Sequence, residues 1–214
     1  NVALGHDALG VNIDGSSNVA CGYNTMDAHT TGNDNAAWGA HALGSSTTGA
    51  RNTGIGYAAG SNITTGSNNT CVGYHAATAA VDSTQSITLG NGDITTLRCA
   101  DTSISTLSDS RDKTNIVDIP LGLTFLNTVR PVSFDWDTRD GTRVGRKDFG
   151  FIAQEMQAVE DANDAPWVRS VLRNNPERLE VAPAQLLPIA VKAIQELSAQ
   201  VDELKAEMAA LKEA

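Results

Sequence analysis

Four chemically active side chains fall within six residues of one another: the Ser108 hydroxyl, the Asp109 carboxylate, the Arg111 guanidinium and the Lys113 ammonium. A hydroxyl with a basic group close by is the raw material of nucleophilic catalysis, because serine attacks a carbonyl only once a base removes its proton. Taken by itself the stretch also reads as a solvated turn in which Ser108 or Asp109 caps a helix. The other polar residues offer less. His6, His29, His41 and His75 fall at differing offsets or on turns, without the spacing of a metal site, so neither metal nor cofactor is expected. Asp7, Asp14, Asp27 and Asp34 occupy turn positions and form no paired-carboxylate constellation for cutting a polysaccharide. Three cysteines are an odd number, so no disulfide framework is expected, and Cys21 and Cys71 occupy adjacent, opposite-facing positions of their units.

The elements that must position this cluster divide near residue 100. Of the 19 glycines, 15 lie before that point, whereas all six prolines lie after it. The first hundred residues hold six acids and two bases and the remainder 19 acids and 13 bases, which gives the net charge of -10. Such acidity argues against a nucleic-acid or anionic-membrane surface, since both need clustered Lys and Arg. No apolar run approaches the roughly 18 residues of a membrane span. Asn1 carries neither an initiator Met nor a signal peptide, so the sequence is expected to be a fragment of a longer chain.

Residues 1–100 are a repeat. Asn1, Asn18, Asn35, Asn52 and Asn69 stand 17 apart, Ser86 continues the series, and a glycine follows each four residues on, from Gly5 to Gly90. Gly15, Gly32, Gly49 and Gly66 mark a second corner. Such units predict coils of short strands and glycine-cornered turns stacked into a solenoid. With so few bulky side chains, one chain looks too thin to hold a sizeable core, and an oligomer is expected. Tyr23, Tyr57 and Tyr74 share one position, as a structural ladder or as a sugar-stacking surface.

Beyond residue 100, a connection over 101–107 leads to the Ser108 cluster. The pattern then predicts a helix near Leu121–Val129, a strand through Val132–Trp136 and a charged loop over Asp137–Lys147 that includes Asp140. A strand at Phe149–Ala153 then runs into a helix ending near Glu160. Over Asp161–Pro176 the chain reads as irregular, with Trp167 and Val168 docked as an anchor. Phe125, Phe134, Trp136, Phe149, Phe151 and Ile152 are expected to form a small α+β core. From Ala184 to the end the chain reads as one helix. Ile194, Val201 and Met208 at a and Leu197, Leu204 and Leu211 at d make a heptad seam, with Glu207 at g facing Lys212 at e of a neighbour. The first turns can instead pack on their own domain. β-branched a with Leu d favours two strands, so the heptads alone do not select three.

The units NVALGHDAL, NVACGYNTM and NAAWGAHAL resemble the left-handed β-roll repeats in the heads of trimeric autotransporter adhesins and in phage tail fibres. Ser108-Asp109-x-Arg111-x-Lys113-x-x-Ile116 resembles the opening motif of the intramolecular chaperone domains that end phage endosialidases and many tail fibres, classed as S74-type self-cleaving peptidases. Val129 to Trp136, Phe149 to Glu155 and Val181 to Leu197 are similar to three further blocks of that family, with Ala182 in place of its usual aromatic. The resemblance implies Ser108 as nucleophile, Lys113 as general base needing a lowered pKa, and Asp109 and Arg111 in support. It further implies cleavage between Leu107 and Ser108 through an ester that water resolves.

The fold expected is therefore mixed: a trimeric β-roll or β-solenoid stalk over 1–100, a linker over 101–107, and an α+β chaperone domain over 108–214. That domain ends in a coiled-coil helix over 184–214. The function implied is the C-terminal part of a virion tail fibre, assembled in the host cytoplasm as a homotrimer, with a host-surface receptor or glycan met through the repeats. No nucleic acid and no membrane insertion is expected. The competing reading is a trimeric adhesin whose cap stays attached uncleaved.

Overall fold

Each asparagine of the 17-residue series ties two coils together. In the computed structural model, which describes residues 1–100, 104–139, 141 and 143–213, Asn18, Asn35, Asn52 and Asn69 are at most 1% exposed. The Asn52 side chain accepts from the backbone N–H of Asn69 at 3.0 Å and donates to the Gly66 carbonyl at 2.8 Å. The same pair of bonds recurs from Asn18 through Asn69, where Ser86 takes the next place. Buried amides must be paired, so the ladder fixes the coil length.

Between the asparagines run β1 (Val2–Leu4), β2 (Val19–Cys21), β3 (Ala36–Trp38), β4 (Thr53–Ile55), β5 (Thr70–Val72) and β6 (Ile87–Leu89), paired in parallel in sequence order. The register advances by one period at each step, as in Ala20 opposite Ala37. In a strand, alternate side chains face opposite ways. The middle residue points inward, small enough for a narrow coil: Ala20, Ala37 and Cys71 are almost wholly buried, and burial raises the Cys71 thiol pKa. The flanking residues point out, leaving Leu4, Trp38, Ile55 and Leu89 exposed. At Gly56, φ is +125° and a Cβ would stand 2.8 Å from the Gly73 carbonyl carbon, so only glycine allows the coils to close up here.

The expectation that one chain is too thin for a core needs correction. Leu9, Met26, Leu43 and Ile63 fill the coil interior. Leu9, Met26 and Leu43 reach it from left-handed backbone at φ 53°, 53° and 50°. Their counterpart Gly60 has no side chain, and the Leu43 and Ile63 side chains take that space.

Two compact units are distinguished, Asn1–Arg98 with Arg139–Arg143, and Cys99–Thr138 with Val144–Ala214. The part of the connection at 101–103 and Asp140 of the expected charged loop lie outside the described residues.

In the second unit α1 is the single turn Leu123–Leu126, shorter than the helix expected over Leu121–Val129. β7 (Val132–Asp137) and β8 (Val144–Gly150) form an antiparallel hairpin, so strand replaces loop from Val144 onward. α2 spans Ala153–Ala162, β9 Val171–Leu172 and β10 Glu180–Val181. A 3-10 turn at Pro183–Leu186 precedes α3, Leu187–Glu213, so the long helix starts after Ala184.

The core of this unit joins Phe125, Met156, Val168, Leu186 and Ile189, with Phe151 packed against it. Phe149 does not belong to it. Alternation along β8 turns that ring outward, 84% exposed. Phe134 and Trp136 lie on the other face of the hairpin, edge to face at 5.1 Å and half-buried. Of the expected anchor, Val168 is buried and Trp167 exposed.

Replacing Asn52 by Ala strands the buried Asn69 N–H and Gly66 carbonyl. At about 1–3 kcal/mol per unpaired group, the variant is expected to lose about 2–6 kcal/mol in denaturant unfolding. Wild-type stability would refute the ladder's role.

Candidate active site

Asp109 is what folds the Ser108 loop. Its carboxylate accepts from the Arg111 backbone N–H at 2.9 Å and so caps the 3-10 turn Ser110–Asp112. It also receives the Arg111 guanidinium in a fork, from Nε at 3.0 Å and from Nη2 at 2.6 Å. Of the two caps open in the sequence, Asp109 makes this one. Planar guanidinium matches a carboxylate in this way, and one residue thereby fixes both the backbone and the side chain two positions on.

The turn closes with the Lys113 N–H donating to the Ser110 carbonyl at 3.2 Å, and Lys113 leaves it in extended backbone. The chain is thus reversed over five residues, which brings Lys113 Nζ to 2.6 Å from Ser108 Oγ. Leu107, on the acyl side of the Leu107–Ser108 bond, is 97% exposed. No residue of the turn is buried. The structure therefore brings Ser108 together with Lys113, and Asp109 with Arg111, as two adjacent pairs. The Arg111 guanidinium holds the Asp109 carboxyl below its ordinary range, chiefly through the side-chain hydrogen bonds and then through the backbone one.

Three further polar groups brace the unit, and the sequence reading had not singled them out. Glu196 on α3 accepts from the Leu123 N–H at 2.7 Å, and its carboxylate fills the space a Cβ on Gly122 would need. Arg130 forks onto Glu155, from Nε at 2.9 Å and from Nη2, tying the entry to β7 to α2. That contact holds the Glu155 carboxyl below its usual range. Glu160, fully buried, accepts from the Ser170 N–H at 2.7 Å, from Ser170 Oγ at 2.6 Å and from Arg173 Nη2 at 2.7 Å. Arg130, Glu155 and Glu196 lie within the quoted family-like blocks, which was the signal that could have found them. Glu160, Ser170 and Arg173 had no comparable marker.

On the solenoid, His6, Tyr23, His41, Tyr57, Tyr74 and His75 form a ladder of rings with successive centroids 4.4–5.7 Å apart. His6–Tyr23 and Tyr57–Tyr74 stack with their faces toward each other, which favours the structural reading of the tyrosines over a sugar platform. His29 is buried instead, with Nε2 at 2.9 Å from the Gly32 carbonyl. Among the described residues no three His, Cys, Asp or Glu side chains gather to hold a metal, and no helix is long and apolar enough to cross a membrane.

Because the Asp109 carboxyl is depressed in the folded turn, the clamp contributes above the unfolded Asp pKa and is lost as pH falls through the lower folded value. Carboxyl-carbon NMR is expected to place the Asp109 midpoint below the ordinary aspartate range. In Arg111→Ala the midpoint should rise toward the ordinary range, with only the backbone bond left to lower it. An unchanged midpoint would show that the fork does not form in solution.

No curated protein and no solved structure matches the chain. Residues 108–165, from the serine of the Ser108–Lys113 pair through α2, match the family model Peptidase_S74, described as the chaperone of endosialidase. The β-solenoid of 17-residue coils thus precedes a segment that matches the chaperone-of-endosialidase family model.

Proposed function

We propose that this chain is the C-terminal part of a phage tail fibre or tailspike. In this reading residues 1–100 form the stalk and 101–107 the linker, and 108–214 form an intramolecular chaperone that drives trimerisation and then cuts itself free between Leu107 and Ser108. The observation that carries the reading is the 2.6 Å contact of Lys113 Nζ with Ser108 Oγ at the start of the family-matched segment.

The chemistry is one turnover in cis. Lys113, as the neutral amine, takes the Ser108 hydroxyl proton, and Oγ attacks the Leu107 carbonyl carbon. The Leu107–Ser108 C–N bond breaks as the proton passes to the Ser108 nitrogen, leaving Leu107 as an ester on Oγ. Water then releases it. Asp109 and Arg111 position the loop and take no proton. A lysine is neutral near physiological pH only where desolvation or nearby positive charge disfavours its cation. Lys113 is exposed in the single chain, so burial by neighbouring copies is what would arm it, and cleavage would then report assembly.

Two apolar surfaces support association of copies, which this reading takes to be three. One is the outward face of the solenoid sheet, with Leu4, Trp38, Ile55 and Leu89 exposed. The other is the α3 stripe: Ile189 and Ala193 pack inward, while Ile194, Leu197, Val201, Leu204, Met208 and Leu211 stay exposed. At about 25 cal/mol per Å² of apolar area, covering both in three copies is a strong drive to associate. Parallel, non-local β-structure forms slowly and exposes its edges meanwhile, which gives a C-terminal clamp its use. The same reading places the protein in the virion after assembly in the host cytoplasm, with a host receptor or glycan met by the repeats.

Wild-type protein is expected to yield fragments 1–107 and 108–214 on a denaturing gel. Ser108→Ala should stay full length yet still trimerise by ultracentrifugation. Two bands from that variant would remove Ser108 from the mechanism, and an uncut wild-type trimer would favour an adhesin with a permanent cap. Leu204→Asp, placing a charge in the α3 stripe, should lower both trimer content and cleavage. A variant that trimerises and cleaves normally would separate the stripe from assembly.

A further inference from the structure

We propose that Lys113 is an acyl acceptor as well as a base, so that a fraction of the chains ends with the Leu107 carboxyl joined to Lys113 Nζ as an isopeptide. The inference rests on the Ser108 reading above and concerns the fate of its ester.

The argument is one of distance. Once Leu107 is esterified to Ser108 Oγ, its carbonyl carbon lies one bond from an atom that Nζ already touches at 2.6 Å. Nζ then stands within roughly the 3–3.5 Å of a near-attack pair. Water activated by the same amine must fit between them, hydrogen-bonded to Nζ at about 2.6–3.2 Å. That requires Nζ to withdraw from Oγ by about the width of one water. Neither the exposed loop nor the 3-10 turn, which buries no residue, walls the lysine off from the acyl carbon. The neutral amine needed for the first step is also a stronger nucleophile than water, and positioning can supply an effective molarity of about 10⁵ M or more. Capture and hydrolysis therefore compete for one ester.

The step balances without any co-reactant. The Nζ lone pair forms the new bond to the Leu107 carbonyl carbon, the C–Oγ bond breaks, and Oγ takes the proton that Nζ gives up. Ser108 regains its hydroxyl and keeps the free α-amine from the first step. The product is an isomer of the starting chain, of the same mass, branched at Lys113. Attack by the Ser108 α-amine merely restores the original peptide, whereas the Lys113 amide is a stable end state. A chain of this kind has lost its Leu107–Ser108 bond yet migrates at full length, so the two halves stay covalently joined.

The full wild-type chain, matured without added nucleophile, is digested with trypsin and analysed by mass spectrometry. Trypsin does not cut after an acylated lysine or between Arg130 and Pro131. The expected signature in the full-length band is therefore Cys99–Leu107 linked through its carboxyl to Lys113 of Asp112–Arg139, beside a free Ser108 amino terminus. Hydroxylamine present during maturation should divert the ester to a Leu107 hydroxamate and deplete the branched peptide. Hydroxamate or free 1–107 with no branched peptide in any fraction overturns capture and leaves the Ser108 mechanism standing. Absence of hydroxamate, of fragment 1–107 and of the branched peptide overturns both.

Discussion

A buried amide that must bond in two directions governs the first hundred residues. Each asparagine of the ladder satisfies a backbone N–H one period ahead and a carbonyl at the closing corner of its own coil. Neither bond survives a change in coil length, so the period is a hydrogen-bonding requirement before it is a packing one. The inward residues of the strands are small, Ala20, Ala37 and Cys71, because Leu9, Met26, Leu43 and Ile63 already fill the interior they face. The glycines follow from the ladder, since successive coils approach until a Cβ at Gly56 would meet the next backbone.

The second unit is held by a few polar clamps around a modest core. Glu160 is the deepest of them: a fully buried carboxylate that three donors satisfy, linking α2 to the segment that runs into β9. Removing one partner of such a group leaves an uncompensated buried charge, which costs more than the intact contact contributes. Glu196 works in a different way, fastening the short α1 to α3 where the helix alone has too few turns to stand. Asp109 does the corresponding task for the Ser108 loop, but in water. The Ser108–Lys113 pair therefore rests on an exposed, salt-screened contact, whereas Glu160 is fully buried and Glu196 part-buried.

Much of this was legible in the residues. The 17-residue spacing predicted coils and corners, and the strands fall where the Asn-to-Gly segments lie. Ser108 and Lys113, paired by what the family resemblance implies, stand in contact. What escaped was whatever depends on long-range pairing. The asparagines were visible as a series, but a series does not say which groups an amide will meet across coils. Phe149 was assigned to the core because aromatic rings usually belong there, and strand alternation overrode that preference. β8 began five residues before Phe149, at Val144, because a run of Arg, Lys and Asp reads as loop although a hairpin partner can hold it extended. The α3 stripe shows the same limit from the other side: its spacing was plain, yet spacing does not say how many strands meet there.

Because every rung of the asparagine ladder is interchangeable with the next, the gene can add or lose shaft in whole coils. A duplication spanning one period sets asparagine against asparagine and glycine against glycine, and the new turn inherits a complete set of bonds. A length that is not a whole number of periods takes each asparagine out of line with the N–H and carbonyl it bonds. Shaft length is therefore a quantity that recombination can vary in discrete steps, without disturbing the loop where Lys113 meets Ser108.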